Sequence, residues 1–126
     1  MIYGIGIDMV AIHRMQENIN KYGGRFANRI LSRKELVEYS NAPRKASYLA
    51  KHFAAKEALV KAIGTGFRNG VKPGDICVNH LPSGQPQIQF EGKITDIISI
   101  NGISSCFLTL ADEKDYAVAC VVLETG

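Results

Sequence analysis

Cysteine, aromatic side chains and long apolar runs are all scarce in this chain. Cys77, Cys106 and Cys120 are odd in number and far apart. Each sits among apolar neighbours, as in SSCFL and AVACVV, so they read as free, reduced, buried thiols. A disulfide framework or a zinc site is not expected from such a set. No apolar stretch is long enough to cross a bilayer, and no membrane partner is expected. The opening residues, MIYGIGIDMV, lack the basic start of a secretory signal, so a cytoplasmic protein is expected. Repeats, low-complexity segments and interdomain linkers are missing too. The basic residues are not interleaved with stacking aromatics, and no zinc-finger or RNP-like pattern occurs. A basic nucleic-acid-binding module is therefore only an alternative reading.

What is present fits one α+β domain over residues 1–126. Hydrophobic residues make up 46% and charged residues 21%, the balance of a soluble globular protein. A single core is feasible at this length, but with so thin a margin that oligomerisation is expected. The formal net charge is +3, and most basic residues lie between Arg14 and Arg68. That asymmetry favours an anionic partner or ligand.

IYGIGIDMVAI reads as a strand whose glycines let another backbone approach closely. A short helix over 13–22 should end at Gly23-Gly24. Ser32 and Glu35 match a capping box, placing a helix start near Ser32. After Pro43, the main helix should run from about Ala46 to Ile63, with Gly64 as its stop. Residues 64–74 form a glycine-rich loop. DICVNHL and QIQFE read as strands around the turn PSGQP, and a weaker helix covers about 92–100. CFLTLA and YAVACVVLE are strong strands joined through DEKD. The order implies a mostly antiparallel sheet packed against a long helix.

The long helix carries a carboxylate in an apolar run, FAAKEALVKAIGTG. Leu49, Phe53, Val60 and Ile63 share one face, Glu57 flanks it, and Lys56 spoils its edge. Glu57 and Lys61 could form an i, i+4 pair on a solvated edge. A functional reading needs a second anionic group. Asp8 is that candidate, since Asp is disfavoured inside strands; otherwise it caps the next element. Together Asp8 and Glu57 could hold Mg²⁺, with waters and a substrate phosphate completing the set. Gly64 and Gly66 could turn backbone N–H groups toward a phosphate, or could simply stop the helix.

These segments in this order (GIGIDMV, RFANRILSRKE, LAKHFAAKEALVKAIGTGFRNG, SGQPQI and LTLADEKDYAVACVVLE) resemble the bacterial holo-[acyl-carrier-protein] synthases, the small trimeric 4′-phosphopantetheinyl transferases. The resemblance spans nearly the whole chain. It implies transfer of phosphopantetheine from coenzyme A to a serine of apo acyl carrier protein, releasing adenosine 3′,5′-bisphosphate. It further implies a cytoplasmic homotrimer serving fatty acid biosynthesis. By matching positions, Asp8 and Glu57 would hold Mg²⁺ against the coenzyme A pyrophosphate, and Lys61 would contact phosphate oxygens. His52, where an arginine is common, would contact a coenzyme A phosphate or lie on the helix surface. Arg14 and Arg25, with Lys21 beside them, would meet the acidic carrier. Ala111 and Asp112 replace a serine-and-histidine pair found in many members, so a histidine base does not carry over. Asp112 is read as opening the DEKD turn.

Overall fold

The computed structural model describes residues 1–126. Its elements run β1 (Ile2–Ala11), α1 (Ile12–Tyr22), α2 (Gly24–Ile30), α3 (Arg33–Ser40), α4 (Lys45–Ile63), β2 (Ile76–His80), β3 (Pro86–Phe90), α5 (Lys93–Ile100), β4 (Ile103–Asp112) and β5 (Tyr116–Thr125). One 3-10 turn, Pro73–Asp75, precedes β2. β5 is the centre of a three-stranded sheet, antiparallel to β1 on one side and β4 on the other. β2 and β3 form a separate antiparallel hairpin. The α+β class, with a long helix on an antiparallel sheet, is as expected.

Strand alternation decides what faces α4. On β5, Ala117, Ala119, Val121 and Leu123 are fully buried. On β1 the inward positions are Gly4, Gly6, Asp8 and Val10. The glycines do what their spacing predicts. A Cβ on Gly4 would stand 2.0 Å from the carbonyl oxygen of Ala62, and one on Gly6 would stand 1.8 Å from that of Ala58. Only hydrogen in place of a side chain lets β1 lie directly on the helix.

α4 is buried more widely than the single face read from periodicity. Leu49, Ala50, Ala54, Ala55, Ala58, Leu59 and Val60 are all fully buried, while Phe53 is half-buried. The sheet covers one side, and α1–α3 with the β2–β3 hairpin cover the other. Its alanines are small enough for both approaches. Each large aliphatic chain so enclosed stabilises the fold by roughly 1.5–3 kcal/mol relative to exposure.

Ser32 caps α3 as its spacing foretold: its hydroxyl accepts from Glu35 N, and Glu35 Oε1 accepts from Ser32 N at 2.8 Å. α2 is an element that pattern reading missed. Gly23-Gly24 ends α1, but Gly24 also begins α2, with no side-chain cap to announce it. Burial of Ala27 and Ile30 holds it in place. The cysteines are free but only half-buried: Cys120 lies on the sheet's uncovered face beside Ile7, Cys106 lies on the inner face opposite Leu123, and Cys77 lies on the β2–β3 hairpin. Burial still pushes the Cys106 thiol up to about 11.

Candidate active site

Asp8 faces α4 because it follows Gly4 and Gly6 on the same side of β1. It does not cap α1, whose N-terminus has no side-chain cap. Lys61, on the last turn of α4, reaches across the strand–helix seam. Its ammonium donates to Asp8 Oδ1 at 2.8 Å and to the Ile7 carbonyl at 3.1 Å. The solvated Glu57–Lys61 pair is not what forms; Lys61 pairs with the strand instead.

Glu57 sits one turn before Lys61, half-buried on the same seam. Burial raises its pKa, the Asp8 charge raises it further, and Lys61 opposes both. Lys61 is shifted upward, chiefly by its hydrogen bond to Asp8. Two carboxylates that repel each other beside one ammonium form a place where added positive charge is favourable. The donor set is hard oxygen only, and no cluster of three or more His, Cys, Asp or Glu occurs. That chemistry fits Mg²⁺, which takes one or two carboxylates and fills its shell with water and phosphate, and does not fit zinc.

The glycines after α4 are engaged elsewhere. Gly64 takes the left-handed cap position at φ 93°, and Gly66 has φ 62°. The N–H groups of Gly64, Thr65 and Gly66 all turn back to the Val60 carbonyl, at 2.9, 3.2 and 3.4 Å. This is the helix-stop arrangement, the second of the two roles expected for Gly64 and Gly66.

The expectation for His52 is corrected. It is 2% exposed, neither on the surface nor open to a phosphate. Its ring stacks on Tyr48, and Nδ1–H donates to Glu35 Oε2. A carboxylate can only accept, which fixes that tautomer. Glu35 and Lys56 complete a buried network that sequence reading missed. The Lys56 ammonium donates to Glu35 Oε1 and the Ile30 carbonyl, both at 2.6 Å, and to the Pro73 carbonyl at 3.0 Å. Glu35 Oε2 also accepts from Val78 N at 3.2 Å. Burial alone would raise the Glu35 pKa; the hydrogen bond from His52 and the charge of Lys56 outweigh it and hold the carboxyl at about 2. Burial lowers the Lys56 pKa against the pull of Glu35. The signal available in the sequence was Lys56 itself, a lone cation in a run that packs on all sides.

Arg14, Lys21 and Arg25 are exposed. Arg14 and Lys21 lie on α1; Arg25 falls on α2, beyond the turn at Gly23. Asp112 ends β4 opposite Ala117, with Lys51 at 4.0 Å.

Residues 4–121 match the model of the 4′-phosphopantetheinyl transferase superfamily. The holo-[acyl-carrier-protein] synthase of Halorhodospira halophila is 45% identical over 126 residues, all of this chain and all of that protein. The crystal structure of the Neisseria meningitidis holo-[acyl-carrier-protein] synthase superimposes with a TM-score of 0.95 at 42% identity, covering 99% of this chain and 100% of that one. The Bacillus anthracis protein of that name, solved in complex with CoA (3′,5′-ADP), gives 0.83 at 33% identity, covering 100% and 99%. The reading as a nucleic-acid-binding module without activity gives way to these likenesses, and the chain belongs to the 4′-phosphopantetheinyl transferase superfamily, among the holo-[acyl-carrier-protein] synthases.

Proposed function

We propose that this chain, as one cytoplasmic domain over residues 1–126, transfers 4′-phosphopantetheine from coenzyme A to a serine hydroxyl of apo acyl carrier protein, with Mg²⁺, and releases adenosine 3′,5′-bisphosphate. The observation that carries this reading is the seam between β1 and α4, where Asp8, Lys61 and Glu57 converge. Asp8 and Glu57 would hold the metal. When bound, Mg²⁺ supplies charge neutralisation on the diphosphate oxygens as the P–O bond breaks.

The remaining work belongs to the chain's own groups. Lys61 is half exposed, so its ammonium can contact Asp8 and also present donors to a phosphate oxygen arriving at the seam. β1 and α4 are rigid elements in backbone contact, which fixes the separation of the three side chains. Positioning of the serine hydroxyl against phosphorus is the larger part of such a reaction. Arg14, Lys21 and Arg25 form the basic surface that steers an acidic carrier and sets its register.

A homotrimer is supported by the second face of the sheet. Ile5, Ile7 and Met9 on β1 are all more than 60% exposed, and Phe107 on β4 is 52% exposed. Register brings them beside Val122, Cys120 and Val118 of β5 as one apolar surface. A contiguous patch of that kind marks an association site.

The test mixes the protein with coenzyme A, apo acyl carrier protein and Mg²⁺ and follows the carrier's mass. The expected result is a gain of one phosphopantetheine that chelator abolishes and Asp8→Asn removes. Unmodified carrier under all conditions would refute the assignment.

A further inference from the structure

A cavity of about 610 Å³ opens between the α2–α3 junction and the β2–β3 hairpin, and none of Asp8, Glu57 or Lys61 lines it. Its size lies within the usual range for small-molecule sites. Arg29, Arg33, Lys34 and Lys72 project from its rim, and none of the four is paired with a carboxylate anywhere in the chain. Asp75 and Glu91 also line it. The Asp75 carboxylate is packed against Gly92, where even a Cβ would stand 2.5 Å from its oxygen. Four cations thus face two carboxylates, and the cavity is positive.

The inner wall is different in character. Leu31 is buried, Leu36 and Phe90 are half-buried, and the half-buried Cys77 thiol opens into the same space. The base is firm, because the Lys56 ammonium ties the carbonyls of Ile30 and Pro73, neighbours of the lining residues Leu31 and Gly74. A cationic rim over an apolar wall matches a ligand with a doubly charged head and an organic body. A phosphomonoester carries about −1.5 to −2 charge at neutral pH and offers oxygens to several donors at once. Arginine forks meet such oxygens in pairs, which a single carboxylate would not exhaust.

From this arrangement we infer that the cavity is a second binding site, separate from the β1–α4 seam, for a phosphomonoester with an organic body of about nucleotide size. The site is independent of the transfer reaction.

Cys77 reports on it directly. Alkylation of the three cysteines by iodoacetamide is followed by peptide mass spectrometry while adenosine 5′-monophosphate is titrated, with coenzyme A left out because its own 3′-phosphate would compete for the site and its thiol would consume the reagent. The expected result is saturable protection of Cys77 of about tenfold when the probe exceeds its Kd tenfold, with Cys106 and Cys120 unchanged. The exposed Arg33→Ala/Lys34→Ala/Lys72→Ala variant should lose the protection and keep its transfer activity, which also shows that it folds; Lys72→Glu alone should reduce it. Absence of protection, equal protection in the triple variant, or equal protection by inorganic phosphate alone would overturn the assignment. The last outcome would mark an adventitious ion only.

Discussion

Gly6→Ala is a small change aimed at the contact that sets the site. The added methyl would lie 1.8 Å from the Ala58 carbonyl oxygen and 2.8 Å from both Ala58 C and Ala62 N. All three are backbone atoms of a buried helix, so no side chain can swing aside. Bringing the shortest contact to 3.0 Å requires β1 and α4 to part by about 1.2 Å. Overpacking of this kind costs roughly 1–3 kcal/mol, and rigid atoms on both sides put it near the upper end. At about 4 °C per kcal/mol for a chain of this size, the melting temperature should fall by roughly 10 °C. The same movement carries Asp8, two residues further along β1, away from Lys61 and Glu57. Misplacement of about 1 Å in a site costs on the order of 10² in rate. The assays are a thermal melt and phosphopantetheine transfer below the melting range. Gly24→Ala is the control, since a Cβ there meets nothing within 4 Å and its φ is not positive. It should be neutral or stabilising by about 0.4–1 kcal/mol. A Gly6→Ala variant that melts like the parent and turns over normally would refute the argument that glycine sets the seam.

Glu57→Gln should raise thermal stability at neutral pH while removing transfer: the folded-state pKa of Glu57 is raised, so its charged form opposes folding. A melting temperature that falls would contradict this. Glu35 behaves in the opposite sense. Its folded pKa of about 2 lies below the ordinary 4.5, so its contribution is complete above about pH 4.5 and is lost as pH falls toward 2. Urea midpoints across that window should drop in the parent and stay flatter in Glu35→Gln/Lys56→Met. Lys56→Met alone strands a buried carboxylate and should destabilise by about 3–5 kcal/mol, more than the double variant. Ile7→Asp places a charge in the middle of the exposed sheet face; if that face carries the proposed self-association, the variant should sediment as a folded monomer in analytical ultracentrifugation, and an unchanged sedimentation coefficient relative to the parent would refute the role of this face.

Sequence pattern read some features of this molecule better than others, and the reason is locality. Gly4 and Gly6 alternate along one strand, so their shared face was legible. Ser32 and Glu35 are three apart, and the capping box followed. Gly64 stops α4 by the same local rule. What escaped notice depends on partners distant in the chain. Glu35, His52, Lys56 and Val78 meet only in three dimensions, so His52 could not be distinguished from a surface residue. Glu35 showed its local role and hid its distant one. α2 was lost because glycine pairs signal an ending, and here tertiary burial of Ala27 and Ile30 overrides that. Lys61 was correctly placed beside Glu57 in sequence, yet its bond is to a residue on another element. The apolar outer face of β1 was hidden because its isoleucines look like core residues until alternation is fixed by the helix.

The strand order has a consequence for biogenesis. β1 and β4 are not paired with each other; each pairs with β5, which follows both in the chain. A nascent chain halted before Tyr116 therefore has no three-stranded sheet against which α4 can settle. Asp8 leaves the ribosome about a hundred residues before the strand that completes its surroundings. Such non-local pairing folds slowly, and activity appears only after translation has passed Thr125.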